Sequence, residues 1–321
     1  MKTNKFFSII FNLLLKSVKL RDRNIFFRKV WFFVWKYSTK NYDGAVSTII
    51  HGFKVKVNNG YSYPFYARLF PNYNNPLIQL VYSVYELLGR KVSIIDVGSA
   101  VGDTNLLLIR NLPNMIETFY CVEGDSEFFK YLNENKSHFP KCKLYNNLLS
   151  ESDGNVVRNL IKTHLGTASS IGDNNVETLS LDTLLQDTLS NQIDILKIDV
   201  DGFDGKILKG SKKIILKFKP LIIFEWHPMM IKNTKNDFHE PFEVLNNLGY
   251  NKFLWYTKYG NFSHFSLNDD YLNRIELNKI CLRNIHDYDW HYDIIAIHDD
   301  SSIDLVKLAE LEKAKKKSSR F

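Results

Sequence analysis

The chain has 321 residues, 45% hydrophobic and 24% charged. That balance allows a substantial core and excludes a chain disordered along its length. The formal net charge is +7, from 42 Lys and Arg against 35 Asp and Glu, but ten of those basic residues and only one acid, Asp22, fall in the first 40 positions. The tail "KLAELEKAKKKSSRF" is basic again, so the excess belongs to the ends and the middle is close to balanced. No stretch approaches the ~20 apolar residues of a membrane span. The three cysteines, Cys121, Cys142 and Cys281, show no CxxC spacing; an odd, unpatterned set points to reduced thiols in a cytoplasmic protein.

In chain order, residues 1–40 interleave bases with aromatics, "FFSIIFNLLLKSVKLRDRNIFFRKVWFFVWKY". Two readings stand. One is an amphipathic helix lying on an anionic membrane surface, a peripheral contact at the inner membrane face. The other is a helical arm packed on its own core or on a partner subunit. The apolar run 6–15 is long enough for a signal-peptide core, but bases follow it and no small-x-small cleavage site does, so secretion is not expected. From 46 to 72, alternation, aromatics and the Asn59-Gly60 turn signal predict a β-hairpin or small sheet. Helical spacing follows over "NPLIQLVYSVYELLGRK", with Pro76 in the first turn and Gly89 near the C-cap.

Beyond that the pattern alternates. Strands are predicted at 92–97, 118–122, 142–146, 193–199, 221–225, 252–256 and 292–297. Helices fit 104–112, 126–139, 203–207 with an extension, and 240–248. Short apolar strands separated by helices imply an α/β fold with a mostly parallel sheet covered on both faces. "KYGNFSHF" reads as a turn into another strand, a hairpin at the sheet edge. The expected organisation is an extension over 1–75, a main domain over 76–300 and a basic tail over 301–321.

The first strand runs into "DVGSAVGDT". In a doubly wound sheet, ligands sit at the carboxyl ends of strands. Asp96 ends the strand, Gly98 and Gly102 let backbone approach a ligand, and Asp103 or Thr104 can cap the next helix. A dinucleotide loop needs G-x-G-x-x-G to seat a pyrophosphate. Here Ser99 and Ala100 stand where its second glycine would be, and an acid at the strand end would repel a pyrophosphate. The same acid suits a cofactor with a cationic amino acid end beside a ribose, which describes S-adenosylmethionine. In "TFYCVEGDSEF", Glu123 stands at the next strand end, where an acid accepts ribose hydroxyls. Asp125 and Ser126 can cap the helix there instead. Gly124 and Leu148 complete the expected cofactor-binding set with Asp96, Gly98, Ser99, Gly102, Asp103, Thr104, Glu123 and Asp199.

The most specific segment is "LSLDTLL…IDILKIDVDGFDGKILKG…KPLIIFEWHP". Leu181-Asp182, the run Lys197-Ile198-Asp199-Val200-Asp201-Gly202, Leu208-Lys209-Gly210 and Ile223-Phe224-Glu225 resemble the FkbM family of methyltransferases. "HLGTASSI" and the closing strand "YDIIAIH" resemble it too, and the resemblance spans about 75 to 298. Asp201 stands where the family commonly has Glu. The resemblance implies a Rossmann-like class I methyltransferase sheet, S-adenosylmethionine as donor, and an oxygen acceptor on a sugar, glycan or secondary metabolite. Candidate general bases are Asp199, Asp201, Glu225, His227 and His164. No metal is required; magnesium at Asp199 and Glu225 is an option. The aromatics Trp226, Trp255, Tyr256, Tyr259, Trp290 and Tyr292 could stack on sugars or pack the core. A non-catalytic methyltransferase-fold module would have lost its acids, which are all present here. A nucleic-acid methyltransferase is not expected, because the bases cluster at the ends and no Asn/Asp-Pro-Pro-aromatic motif occurs.

Overall fold

A chain that alternates short apolar strands with helices closes its backbone hydrogen bonds in one sheet and covers that sheet on both faces. This architecture is seen in a computed structural model, which describes residues 1–139, 141–154, 156–158, 161–164, 167–169, 175–189, 192–267, 270–283 and 290–302. Helices α1 (Lys5–Arg21) and α2 (Ile25–Asn41) lead into strands β1 (Ala45–Ile50) and β2 (Phe53–Asn58), then helices α3 (Tyr63–Leu69) and α4 (Asn75–Leu88). Then come β3 (Val92–Val97), α5 (Asp103–Asn111), β4 (Ile116–Val122), α6 (Ser126–Asn135) and β5 (Cys142–Tyr145). Four short strands follow: β6 (Val156–Arg158), β7 (Ile161–His164), β8 (Thr167–Ser169) and β9 (Asn175–Glu177). The chain continues through α7 (Leu181–Leu185), β10 (Ile195–Ile198), α8 (Asp204–Lys209), α9 (Lys212–Phe218), β11 (Leu221–Trp226), α10 (Pro228–Asn233) and α11 (Glu240–Asn247). The edge is built by β12 (Tyr250–Thr257), β13 (Phe262–Leu267), α12 (Tyr271–Arg283) and β14 (Tyr292–His298).

The described residues form one large sheet in the order β13-β12-β14-β11-β10-β3-β4-β5. Strands β11, β10, β3, β4 and β5 run parallel. β14 inserts antiparallel beside β11 and pairs on its other side with the β12–β13 hairpin, the predicted edge hairpin. Successive residues of each strand feed opposite cores. Ile94, Phe119, Ile195 and Ile223 join the cluster under α1 to α6. Ile95, Tyr120, Leu196 and Phe224 join the cluster under α7 to α11. The strand order reverses between β3 and β10. A ligand crevice belongs at that switch point, outside the carboxyl ends of the strands.

The first 40 residues form two packed helices, and α1 buries Phe11, Leu14 and Val18 in the same core as Leu80, Val92 and Ile94. Asn12 ties α1 to β1 by donating to the Ser47 carbonyl at 2.8 Å, and the Trp31 indole donates to the Leu14 carbonyl at 3.1 Å. The predicted β-hairpin exists, but it turns at His51-Gly52, both with positive φ, where Ile50 pairs with Phe53. Asn59 instead follows β2, and its buried amide donates to the carbonyls of Ser38 and Tyr42. Asp125 caps α6 by accepting from the backbone N–H groups of Glu127 and Phe128 at 2.8 Å each.

Candidate active site

Gly98 leaves β3 with φ +79°, and a Cβ there would stand 1.9 Å from the Asp199 carbonyl oxygen beyond β10. Glycine therefore lets the two strand ends meet at the switch point. Replacement of Gly98 by Ala adds both that clash and a left-handed non-glycine residue, at a cost of about 1–3 kcal/mol of local strain. Donor affinity measured by calorimetry is expected to fall about tenfold to a hundredfold; unchanged affinity would show that this loop does not shape the site. Gly102 serves packing, since a Cβ there would lie 2.3 Å from the Phe139 ring.

A cavity of about 870 Å³ opens over these strand ends. Of the residues expected to hold the cofactor, Gly98, Asp103, Thr104, Glu123, Gly124, Leu148 and Asp199 line it. Asp96, Ser99 and Gly102 are not among its lining residues. Asp96 is 1% exposed and accepts from the Lys197 ammonium at 2.9 Å, while Ser99 donates to the Asp96 carbonyl at 2.7 Å. Asp96 stands one layer behind the wall because β10 places Lys197 directly opposite it. Nor does Asp103 or Thr104 cap α5. Gly102 is the N-cap, with no side-chain bond, and the Asp103 carboxylate accepts from the Tyr61 hydroxyl.

Lys197, which opens the family-like run but was given no role there, links the two halves. Its ammonium also lies 3.4 Å from Asp199. Burial opposes its charge, but Asp96 and Asp199 hold its pKa above the ordinary lysine value. Glu123 is likewise anchored: one carboxylate oxygen accepts from the Ala100 N–H at 2.8 Å and the other from the Asp125 N–H at 2.7 Å. Each oxygen retains a further lone pair. Burial pushes Glu123 up to about 7 against those two bonds.

Glu123 takes up its proton more readily folded than unfolded, so charging it on the native protein costs stability as pH rises from the ordinary carboxylate range through about 7. Between about pH 5 and pH 8, ligand-free protein is expected to lose stability relative to its Glu123→Gln variant. Parallel melting curves of the two proteins across that range would contradict the burial.

The candidate bases separate. Asp199, Asp201, Glu225 and His227 line the cavity. His164 lies on β7, and its side chain falls outside the described residues. His227 is committed elsewhere: its Nδ1 accepts from the Met230 N–H at 3.3 Å and caps α10. That bond engages the Nδ1 lone pair at the start of the helix. The His227 ring stacks on His291, centroids 4.9 Å apart. His291, which sequence reading missed, lines the cavity and places Nε2 3.2 Å from Glu225 Oε1. Its position just before β14 gave no motif; the antiparallel insertion of that strand beside β11 brings it to Glu225. Burial first, then Asp199, Asp201 and Asp204, push the Glu225 carboxyl well above the usual range.

Among the described residues no three metal-ligating side chains converge. The option of magnesium at Asp199 and Glu225 finds Asp199 facing the Lys197 ammonium and Glu225 facing His291. Of the aromatics that could stack on sugars or pack the core, most pack the core: Trp226, Trp255 and Tyr256 are buried, and only Tyr259 of that set lines the cavity. The aromatic wall comes instead from Tyr61, Tyr63, Tyr66 and Tyr73, with Phe32 and Trp35 of α2.

The sequence model of the methyltransferase FkbM domain matches residues 41–252. No curated protein sequence matches the chain. Among solved structures, a methyltransferase FkbM from Methylobacillus flagellatus KT aligns at 12% identity and TM-score 0.38, covering 64% of this chain and 43% of that one. The chain thus spans less than half the length of that protein. An O-methyltransferase from Bacillus cereus, solved in complex with SAH, aligns at 11% identity and TM-score 0.37, over 70% of this chain and 80% of that one. The family match covers about two thirds of the sequence and contains both the glycine loop and the Lys197–Gly202 segment that meet at the switch point: the chain belongs to the FkbM family of S-adenosylmethionine-dependent methyltransferases.

Proposed function

We propose that the protein transfers the methyl group to a hydroxyl oxygen of a sugar, glycan or related secondary metabolite. The observation that carries this reading is the Glu225–His291 pair in the wall of the cavity that holds the glycine loop. A hydroxyl must lose its proton near transfer, and an imidazole backed by a carboxyl is the side-chain pair that takes one. The chain's residues fit the donor. Gly98 admits it closely, Glu123 offers lone pairs for ribose hydroxyls, and Asp199 and Asp201 in the wall offer carboxyl groups to its cationic end. S-adenosylmethionine supplies an electrophilic methyl group when bound. The protein positions the acceptor and removes its proton.

In this assignment His291 is the base and Glu225 orients its ring through Nε2. The aromatic wall of Tyr61, Tyr66, Tyr73 and Trp35 offers flat apolar faces to the C–H faces of a sugar ring. A donor-consumption screen against sugar nucleotides, glycolipid precursors and phenolic metabolites tests the acceptor class. Turnover only with sugar-bearing acceptors supports it, and turnover only with amines or nucleic acid overturns it. The basic arm supports contact of the same protein with an anionic membrane surface.

A further inference from the structure

Helices α1 and α2 bury only part of their apolar surface. On α2, Phe26, Val30, Phe33 and Tyr37 recur at i, i+4, i+7 and i+11, so they form one ridge along the helix. All four are exposed, Phe26 at 68% and Phe33 at 71%. Lys29, Lys36 and Lys40 share the spacing of Phe26, Phe33 and Tyr37, displaced by three residues, and are exposed along one flank of that ridge. On α1, Phe6, Ile9, Leu13 and Leu20 form a second outward stripe, with Lys16 in it. The opposite edge of α2 does different work, since Phe32 and Trp35 wall the cavity. Among the described residues no helix is long and apolar enough to cross a membrane.

We propose that the α1–α2 hairpin docks the protein on bilayers rich in anionic lipid, with the Phe26–Tyr37 ridge entering the headgroup boundary and Lys29, Lys36 and Lys40 meeting the headgroups. The charge identifies the occupant. Residues 1–40 hold ten bases and one acid of the chain's 42 and 35, leaving 32 and 34 elsewhere, so the arm is +9 and the rest −2. A second copy seated on this face through a two-fold axis would bring two +9 surfaces together. An anionic bilayer complements both the ridge and the lysines. Because α2 also walls the cavity, docking holds the active site within about one helix diameter, ~10 Å, of the lipid headgroups.

The test is cosedimentation of the full chain with phosphatidylcholine vesicles, with and without about one third phosphatidylglycerol, at low and at about 0.5 M salt. The chain is compared with Phe26→Ser/Phe33→Ser and with Lys29→Gln/Lys36→Gln/Lys40→Gln. These side chains are exposed and outside the cavity wall, and donor binding by calorimetry checks that each variant is folded. The expected result is at least about tenfold stronger binding when anionic lipid is present, weakened by salt, and about a tenfold loss in either variant with donor affinity unchanged. Equal binding to both vesicle types, or variants that bind like the parent, would overturn the proposal. So would sedimentation velocity in which the phenylalanine variant converts a dimer to a monomer, which would assign the face to a second copy. None of these failures touches the methyl-transfer reading, which donor binding and turnover report separately.

Discussion

Replacement of His291 by Asn is expected to lower turnover by about 10²–10⁴-fold while donor affinity stays unchanged, because the proposed role of the ring is to receive the acceptor proton and not to hold the donor. Its Nε2 faces Glu225 at 3.2 Å, and both residues line the cavity. Glu225→Gln keeps a hydrogen-bonding partner for the ring and removes the titratable carboxyl, so it should cost less than the His291 change and alter the pH–rate profile. His227→Gln, at a ring whose Nδ1 already caps α10 at 3.3 Å, should cost helix stability more than turnover. Single-turnover rates with saturating donor separate these cases. A His291→Asn enzyme as fast as its parent would transfer the role of base to Asp199 or Asp201.

The second large effect falls on stability. Lys197→Met should destabilise the protein by about 3–5 kcal/mol, since Asp96 is 1% exposed and would lose its ammonium partner in the core. What remains to Asp96 is Thr104 Oγ1 at 3.4 Å, a long hydrogen bond. The double variant Lys197→Met/Asp96→Asn removes both charges and should regain most of that loss. Denaturant titration of the two singles and the double measures the coupling directly. If the double variant is no more stable than Lys197→Met, the pair does not act as a unit.

The parallel sheet was legible because burial on both faces forces nearly unbroken apolar strands. Val92–Val97 is found with the predicted bounds, and the other predicted strands are found with their ends shifted by one or two residues. The edge hairpin was legible from "KYGNFSHF". The hairpin turn at His51-Gly52 was not, because Asn59-Gly60 is the stronger turn dipeptide; its Asn side chain is drawn inward by the carbonyls of α2 and the residue after it. The strand-end acids were legible as a group, but their depth was not. Periodicity cannot tell an acid facing a cavity from one facing a lysine on the neighbouring strand, and register with Lys197 decides this for Asp96. His291 was illegible for a related reason. It is adjacent to Glu225 only through β14, which returns antiparallel from far along the chain. The aromatics Trp226 and Trp255 pack edge to face in the core, as the alternative of core packing had it, but the part of 61–73 in the cavity wall was not legible, because those residues turn back over the strand ends only in the fold.

The proposed methyl transfer to oxygen is read most directly in the product. Incubation of the full chain with S-adenosylmethionine carrying a ¹³C-labelled methyl group and the acceptor found by the screen, followed by NMR of the product, reads the atom that receives the label. A labelled methoxy carbon is the predicted result. Label on nitrogen, carbon or sulfur, or none on any hydroxyl-bearing acceptor, would contradict it.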